Sequence, residues 1–284
     1  MDKILKALAY DNKVRIYAAL STDTVNESIR KHNLNLMSAM ALGRLLTVTA
    51  MMSCMSKSES IAVQISTEAP MKGLLAIADS RGKVKGYVVN NDYTSYGENI
   101  TSLGQLLIPG KLMISKNLGL KEPYTGITTL VTGEIAEDIA KYYMDSEQTP
   151  TVCALGTYFS EEGKLLAAGG YIIQVLPDTD ESILKEIEQR VTLTNNISKL
   201  IYDLKTPQNL INFLFSDRNL VFTGEEDILF ECGCSKEGIL EKLLTIDKDQ
   251  LNEVASQQSF IEAVCPYCNT HYHYDSEDIL KILE

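Results

Sequence analysis

The sequence predicts an α+β fold: a mixed antiparallel-sheet core domain with helices, then a short-helix linker region, then a small four-cysteine zinc-binding domain. Three observations predict it. Period-two alternation recurs through residues 1–177, in segments joined by turn residues, as antiparallel strands require. From residue 178 the apolar spacing becomes helical. Four of the six cysteines then fall between residues 232 and 268, as two close pairs. The expected division is 1–177 for the core, 178–231 for the helical linker and 232–284 for the cysteine-bearing domain.

Taken in order, Lys13 to Ala18 alternates polar and apolar like a half-buried strand. Ala39 to Met55 reads as a helix, and Ser60 to Ser66 returns to period two. Leu74 to Ala78 and Val84 to Val89 flank the turn Asp79-Ser80-Arg81-Gly82. Asn90 to Gly110 is rich in Asn, Ser, Tyr and Gly and reads as loop. Lys111 to Ser115 and Gly126 to Val131 read as strands, and Ala136 to Met144 as a helix. Val152 to Phe159 and Leu165 to Leu176, joined by Glu161-Glu162-Gly163, predict a long hairpin.

After Pro177-Asp178 only helices are expected. Ile183, Leu184, Ile187 and Val191 share one apolar face. Ile197, Leu200, Ile201 and Leu204 form a second. Thr206-Pro207 is a helix start, with threonine as cap and proline in the first turn. Each helix is too short to stand alone in water and must pack on something. Two readings stay open here, a helical subdomain of fixed structure and a metastable segment.

The charge is uneven. The chain has 26 Lys and Arg against 38 Asp and Glu, a net of −12, yet residues 225–284 hold 14 of the acids and 4 of the bases. The body is therefore nearly neutral and the end strongly acidic, which argues against a phosphate-tracking surface at either place. The start, Met1 to Lys6, has no apolar run or cleavage site of a secretory signal. The most apolar long stretch, Leu34 to Met55, carries Arg44 near its middle, so it reads as a buried helix and not a membrane span. A cytoplasmic location follows as the expectation. There, paired cysteines serve as metal ligands or redox switches more often than as structural disulfides.

Cys232-Gly233-Cys234 and Cys265-Pro266-Tyr267-Cys268 stand thirty residues apart. Each short spacer holds its pair on one turn, and four thiolates complete a tetrahedral site for one zinc ion. Two local disulfides or four free cysteines are the alternatives. Ser235 is suited to cap a helix through Ile239, Leu240 and Leu243. His271 and His273 are not needed as ligands, since four thiolates already complete the tetrahedron, and they are expected to face solvent because Tyr272 and Tyr274 alternate with the polar residues around them. Cys54 and Cys153 read as inert core residues. A sixty-residue acidic segment has a small core, so losing the metal should unfold it. Thiolates are also what oxidants attack. A domain folded by cysteine-bound metal is thus suited to act as an oxidation-triggered unfolding switch.

With these cysteines in place, the sequence resembles the redox-regulated bacterial holdase chaperones, the 33-kilodalton heat-shock family. The resemblance runs in order along the whole chain. It rests on Gly73-Leu74-Leu75, Ala78-Asp79 and Val84-Lys85-Gly86-Tyr87; on Tyr142-Tyr143, Ser146-Glu147-Gln148 and Pro150-Thr151; and on Gly169 to Pro177. It ends on Cys265, Cys268, Tyr272 and Tyr274. Gly238 departs from the family pattern, where a longer polar residue is expected.

The resemblance implies an ATP-independent molecular chaperone, not an enzyme, that binds unfolding client proteins under oxidative stress. It implies one Zn2+ on Cys232, Cys234, Cys265 and Cys268 in the reduced state. It implies disulfides Cys232–Cys234 and Cys265–Cys268 on oxidation, with unfolding of the C-terminal domain and linker. It further implies a homodimer when active, with no nucleic acid or membrane as partner. The linker faces Ile183, Ile187, Val191, Ile197, Leu200, Ile201 and Leu204 are then candidate client-contacting surface. The absence of Gly-x-x-x-x-Gly-Lys-Ser/Thr agrees with ATP independence.

The leading alternative is a zinc-ribbon nucleic-acid-binding protein, or a structural zinc protein without chaperone activity. The acidic end opposes nucleic acid. A dithiol oxidoreductase using Cys265 and Cys268 lacks a βαβ unit downstream. A hydrolase lacks Gly-x-Ser-x-Gly and His-Glu-x-x-His.

Overall fold

The computed structural model describes residues 1–56, 58–94 and 100–283. The chain divides into two compact units, Met1–Phe230 and Glu231–Glu284.

The larger unit opens with a hairpin of β1 (Lys3–Ala9) and β2 (Val14–Leu20). Its turn takes Tyr10, Asp11 and Asn12 at positive φ, a region that Asp and Asn tolerate better than most. Helix α1 (Thr22–His32) follows, then α2 (Leu36–Met55), whose cap Asn35 accepts the Ser38 amide at 2.9 Å. Next come β3 (Ser60–Thr67), β4 (Gly73–Asp79) and β5 (Lys83–Val88). The stretch 90–110 is largely irregular as expected, although residues 95–99 lie outside the described residues, and it holds one helical turn, α3 (Gly104–Leu107). Then follow β6 (Gly110–Asn117), β7 (Tyr124–Thr129), α4 (Ala136–Glu147), β8 (Thr151–Phe159) and β9 (Leu165–Val175).

Residues 181–215 form α5 (Glu181–Thr192), α6 (Ile197–Leu204) and α7 (Pro207–Phe215). As expected, Thr206 caps α7, its Oγ1 accepting the Asn209 amide at 3.1 Å, with Pro207 in the first turn. The expectation of helices alone after residue 178 is corrected here. β10 (Val221–Asp227) and β11 (Leu229–Phe230) are strands. Long-range pairing overrides their poor strand composition: β10 lies antiparallel on β1, and β11 parallel on β5.

Two sheets result. One is ordered β10-β1-β2-β9-β8, the other β11-β5-β4-β3-β6-β7. Helix α2 packs against β3, β4 and β5 of the second sheet and β2, β8 and β9 of the first. That position explains its composition: it is buried on nearly every side. It is long and apolar enough to cross a membrane, yet 78% of its most apolar window is buried inside the fold. Arg44, which interrupts it, pairs with Glu134 at 2.6 Å.

The same five-stranded sheet carries α5, α6 and α7 on a second apolar cluster. Ala7, Val14, Ile16, Tyr171, Ile173 and Val175 meet Ile187, Ile201, Leu210, Ile211, Leu214 and Phe215 there.

The smaller unit contains α8 (Lys236–Leu243), α9 (Lys248–Gln257), the hairpin β12 (Phe260–Val264) with β13 (His271–Asp275), and α10 (Ser276–Leu283). Its buried core is Leu251, Ala255, Ile261, Tyr274 and Ile279.

Candidate metal centre

Cys265 and Cys268 lie in the turn joining β12 to β13. The Cys265 amide donates to the Thr270 carbonyl at 2.9 Å, and the Asn269 amide to the Cys265 carbonyl at 2.8 Å. Asn269 completes the turn at φ 55°. The other pair is set by Gly233, at φ 59°, just before α8. Ser235 caps that helix, accepting the amide of Gly238 at 3.1 Å. The cap needs only the Gly238 backbone, so it forms despite the departure from the family pattern.

The four sulfurs of Cys232, Cys234, Cys265 and Cys268 lie within 4.8 Å of one another. Cys232 Sγ is 3.6 Å from Cys265 Sγ, and Cys234 Sγ is 3.4 Å from Cys268 Sγ. A tetrahedron with 2.3 Å metal–sulfur bonds places its sulfurs about 3.8 Å apart. The donor set therefore fits a divalent, thiophilic ion, and the cluster could hold a metal.

The electrostatics agree. Burial and the neighbouring thiols push the Cys232 thiol up, and burial pushes Cys265 up. Burial opposes ionisation of Cys268 too, but the hydroxyl and amide of Thr270, with Cys234, outweigh it and draw that thiol down to about 7. Four thiolates this close cannot share one site without a cation to balance them.

Sequence reasoning assigned no role to Thr270 or Tyr272. Thr270 Oγ1 lies 3.1 Å from Cys268 Sγ. Tyr272 Oη lies 3.1 Å from Cys234 Sγ and donates to the Cys234 carbonyl at 3.2 Å. Only the alternation His-Tyr-His-Tyr hinted at this: it turns Tyr272 and Tyr274 inward. His271 and His273 face solvent as expected, both beside Glu262.

The seven candidate client-contacting residues are all turned toward the five-stranded sheet. Ile187 and Ile201 are buried; Ile183, Val191, Ile197, Leu200 and Leu204 are partly buried against the same cluster. Polar ties hold these helices down. Arg190 donates to Glu186 at 2.7 Å, to Asp217 at 2.9 Å and to the Leu214 carbonyl at 2.6 Å, clasping α5 to the end of α7. The other two cysteines, Cys54 and Cys153, are not part of the cluster; burial pushes both thiols up, which fits an inert role.

Comparison with known proteins agrees with the fold. A family model described as Hsp33 protein matches residues 2–275. The 33 kDa chaperonin of Bacillus pumilus is 34% identical over 289 residues, covering 100% of this chain and 99% of that protein. The 33 kDa chaperonin of Lachnoclostridium phytofermentans is 35% identical over 288 residues, covering 99% and 98%. The crystal structure of the 33 kDa chaperonin, or heat shock protein 33 homolog, of Thermotoga maritima superposes with a TM-score of 0.88. It is 26% identical, with 99% of this chain and 97% of that one covered. The class is thus a chaperone built from a mixed α/β body and a four-cysteine unit. The chain belongs to the Hsp33 family.

Proposed function

We propose that this chaperone is an ATP-independent holdase, switched on by oxidation of Cys232, Cys234, Cys265 and Cys268. One observation carries the reading: four sulfurs gathered within 4.8 Å in a unit whose apolar cluster, among the described residues, holds five buried side chains. Bound there, Zn2+ would neutralise the thiolates and cross-link residues 231–284.

The chain's own residues supply the switch. Thiolates are what an oxidant attacks, and here four sulfurs lie within 4.8 Å of one another. Closing Cys232–Cys234 and Cys265–Cys268 takes two electrons per bond and removes all four donors. Each bond spans one or two intervening residues, so neither constrains the fold that the four-thiolate site held together. The core that remains is too small to keep residues 231–284 folded.

Residues 178–231 form the second element, as a metastable linker. At rest the linker faces are buried on the five-stranded sheet. Released, they and the sheet beneath present apolar surface to clients, the unfolding proteins of a cytoplasm under oxidative stress. Burial of one such side chain contributes about 1.5–3 kcal/mol, so several together bind a client firmly. The same exposed surface favours a homodimer in the active form. Nothing in this scheme calls for catalysis of a covalent reaction on the client.

The test is peroxide with mild heat, following zinc release and aggregation of a thermally unfolding client together. Zinc release with suppressed aggregation is expected from the oxidised protein alone. Zinc release without suppression would leave a structural zinc protein and refute the holdase. Equal suppression by reduced protein would refute the switch.

A buried pair offers a cysteine-free check on the linker. Tyr171 on β9 donates to Thr194 Oγ1, between α5 and α6, at 2.6 Å, and Thr194 donates to the Val191 carbonyl at 2.8 Å. Both side chains are buried. Thr194→Val strands the Tyr171 hydroxyl at a cost of about 1–3 kcal/mol. The variant is expected to reach full holding activity at a lower temperature than the parent, at equal oxidant. An unchanged temperature dependence would show that this tie does not restrain the linker.

A further inference from the structure

β10 is an edge strand of unusual make-up. Every residue from Val221 to Asp227 is exposed except Glu226, which is half-buried. It therefore adds almost nothing to the core. The strand's own hold on the body is the backbone ladder to β1 and a few ion pairs, Lys3 with Glu225 at 2.7 Å, Lys6 with Glu226 at 3.0 Å and Lys3 with Asp227 at 4.0 Å, and just beyond it β11 pairs with β5, with Ile228 and Phe230 buried. The ladder is interrupted, since Lys6 faces Gly224 but Ala7 faces Phe222, leaving Thr223 out of register. In sequence β10 lies between α7 and Cys232, the two elements that the proposed switch loosens.

β1 is different. Its other side is paired with β2 over seven residues, Lys3 to Ala9. Ile4 and Ala7 are buried. β1 therefore stays in place when β10 departs, with a row of unpaired N–H and C=O groups. Such an edge is a template for another extended chain.

We propose that the outer edge of β1 is a capture site for extended, acidic segments of client proteins, and that β10 is the internal strand occupying it at rest. This rests on the proposed switch. Unfolded segments offer the free backbone groups that the edge lacks. The charge preference follows from Lys3 and Lys6, which lose Glu225, Glu226 and Asp227 when β10 leaves. Side-chain sequence matters little otherwise, because β10 itself buries so little; that suits a protein that holds many clients. The edge adds main-chain recognition to the apolar recognition assigned above to the linker faces.

The experiment uses the full chain, reduced with zinc or oxidised by peroxide, and a fluorescent peptide copying residues 220–228. The peptide is expected to bind oxidised protein at least about tenfold more tightly than reduced. A peptide with lysine at the three acidic positions is expected to bind about tenfold more weakly than the native one. Hydrogen exchange at those amides of residues 3–8 that point toward β10 gives the second readout: slow in reduced protein, fast after oxidation, slow again once peptide or an unfolded client is bound, while the amides bonded to β2 stay slow throughout. In reduced protein Glu225→Lys/Glu226→Lys, which leaves β1 unaltered, should raise exchange at the β10-facing amides several-fold.

Continued protection of the β10-facing amides of residues 3–8 in oxidised protein that holds clients would overturn the inference, as would such amides that open and stay open with client bound. Protection regained on raising the protein concentration without client would make a second copy the occupant and equally overturn it. In all these outcomes the switch itself still stands. Oxidation that neither releases zinc nor creates holding activity would remove the switch, and this inference with it.

Discussion

Removing the metal from reduced protein with a strong chelator is expected to unfold residues 231–284 while residues 1–177 stay folded. Helix α8 has no buried residue, and the unit's core is Leu251, Ala255, Ile261, Tyr274 and Ile279. A core of this size contributes no more than about 3–5 kcal/mol. Zinc held by four thiolates contributes about 10–16 kcal/mol of apparent binding free energy. The second figure exceeds the first by enough that no rearrangement of α8 to α10 compensates. Hydrogen exchange resolves the outcome: amides of residues 231–284 should exchange at the rate of an open chain, and those of β2, β9 and α2 should not change. Cys268→Ser should give the same pattern without chelator, and added zinc should restore the parent but not the variant. A chelated protein whose C-terminal amides stay protected would show that the apolar core suffices, and the thiol cluster would lose its structural role.

How much of this was legible in the sequence depended on the range of the interactions involved. The two cysteine pairs were legible because each spacing is local and the chemistry of four thiols is specific. Their hydroxyl partners Thr270 and Tyr272 were not, since they meet the sulfurs only through the turn and register of β12 and β13. The core hairpins and α2 were recognisable from alternation and turn residues. α2 begins at Leu36, three residues before the predicted start, because Asn35 caps it there. α1 escaped notice because no local side chain caps it. The Asp2 carboxylate does so instead, accepting the Thr24 amide at 2.6 Å from 22 positions away.

β1 escaped for another reason. Ala7 and Ala9, with Leu5 packed beside them, join the cluster under α5–α7, while Ile4 is buried outside that cluster. A strand covered on both faces loses its alternation. β10 combines the two difficulties, being exposed, acidic and paired across more than two hundred residues. The acidity first noted as a property of the chain's end thus has a local part as well: Glu225, Glu226 and Asp227 are the residues that clasp Lys3 and Lys6.

Gly156→Ala is expected to make the reduced, zinc-loaded protein an active holdase with no oxidant present. Gly156 lies on β8 beneath the first turn of α6. A Cβ there would stand 2.7 Å from Ser198 Cα and 2.8 Å from Ser198 N. Those are backbone atoms, so no change of rotamer relieves the contact; α6 must move away from the sheet. Overpacking of this kind costs about 1–3 kcal/mol when the neighbours can yield. Here the neighbour is a whole helix held by one small apolar face, Ile197, Leu200, Ile201 and Leu204, and lifting it removes Ile201 from its buried site. The sheet and the cysteines are untouched, so zinc should remain fully bound. Gly224→Ala is the matched control, because a Cβ at Gly224 meets nothing within 4 Å. The measurement is client aggregation under reducing conditions, with zinc content checked in the same samples. Activity in Gly156→Ala and none in Gly224→Ala would separate release of the linker from loss of the metal. A reduced Gly156→Ala protein that stays inactive, with α6 amides still protected, would mean that the helix shifts in place, and that the close approach at Ser198 is not what keeps the linker shut.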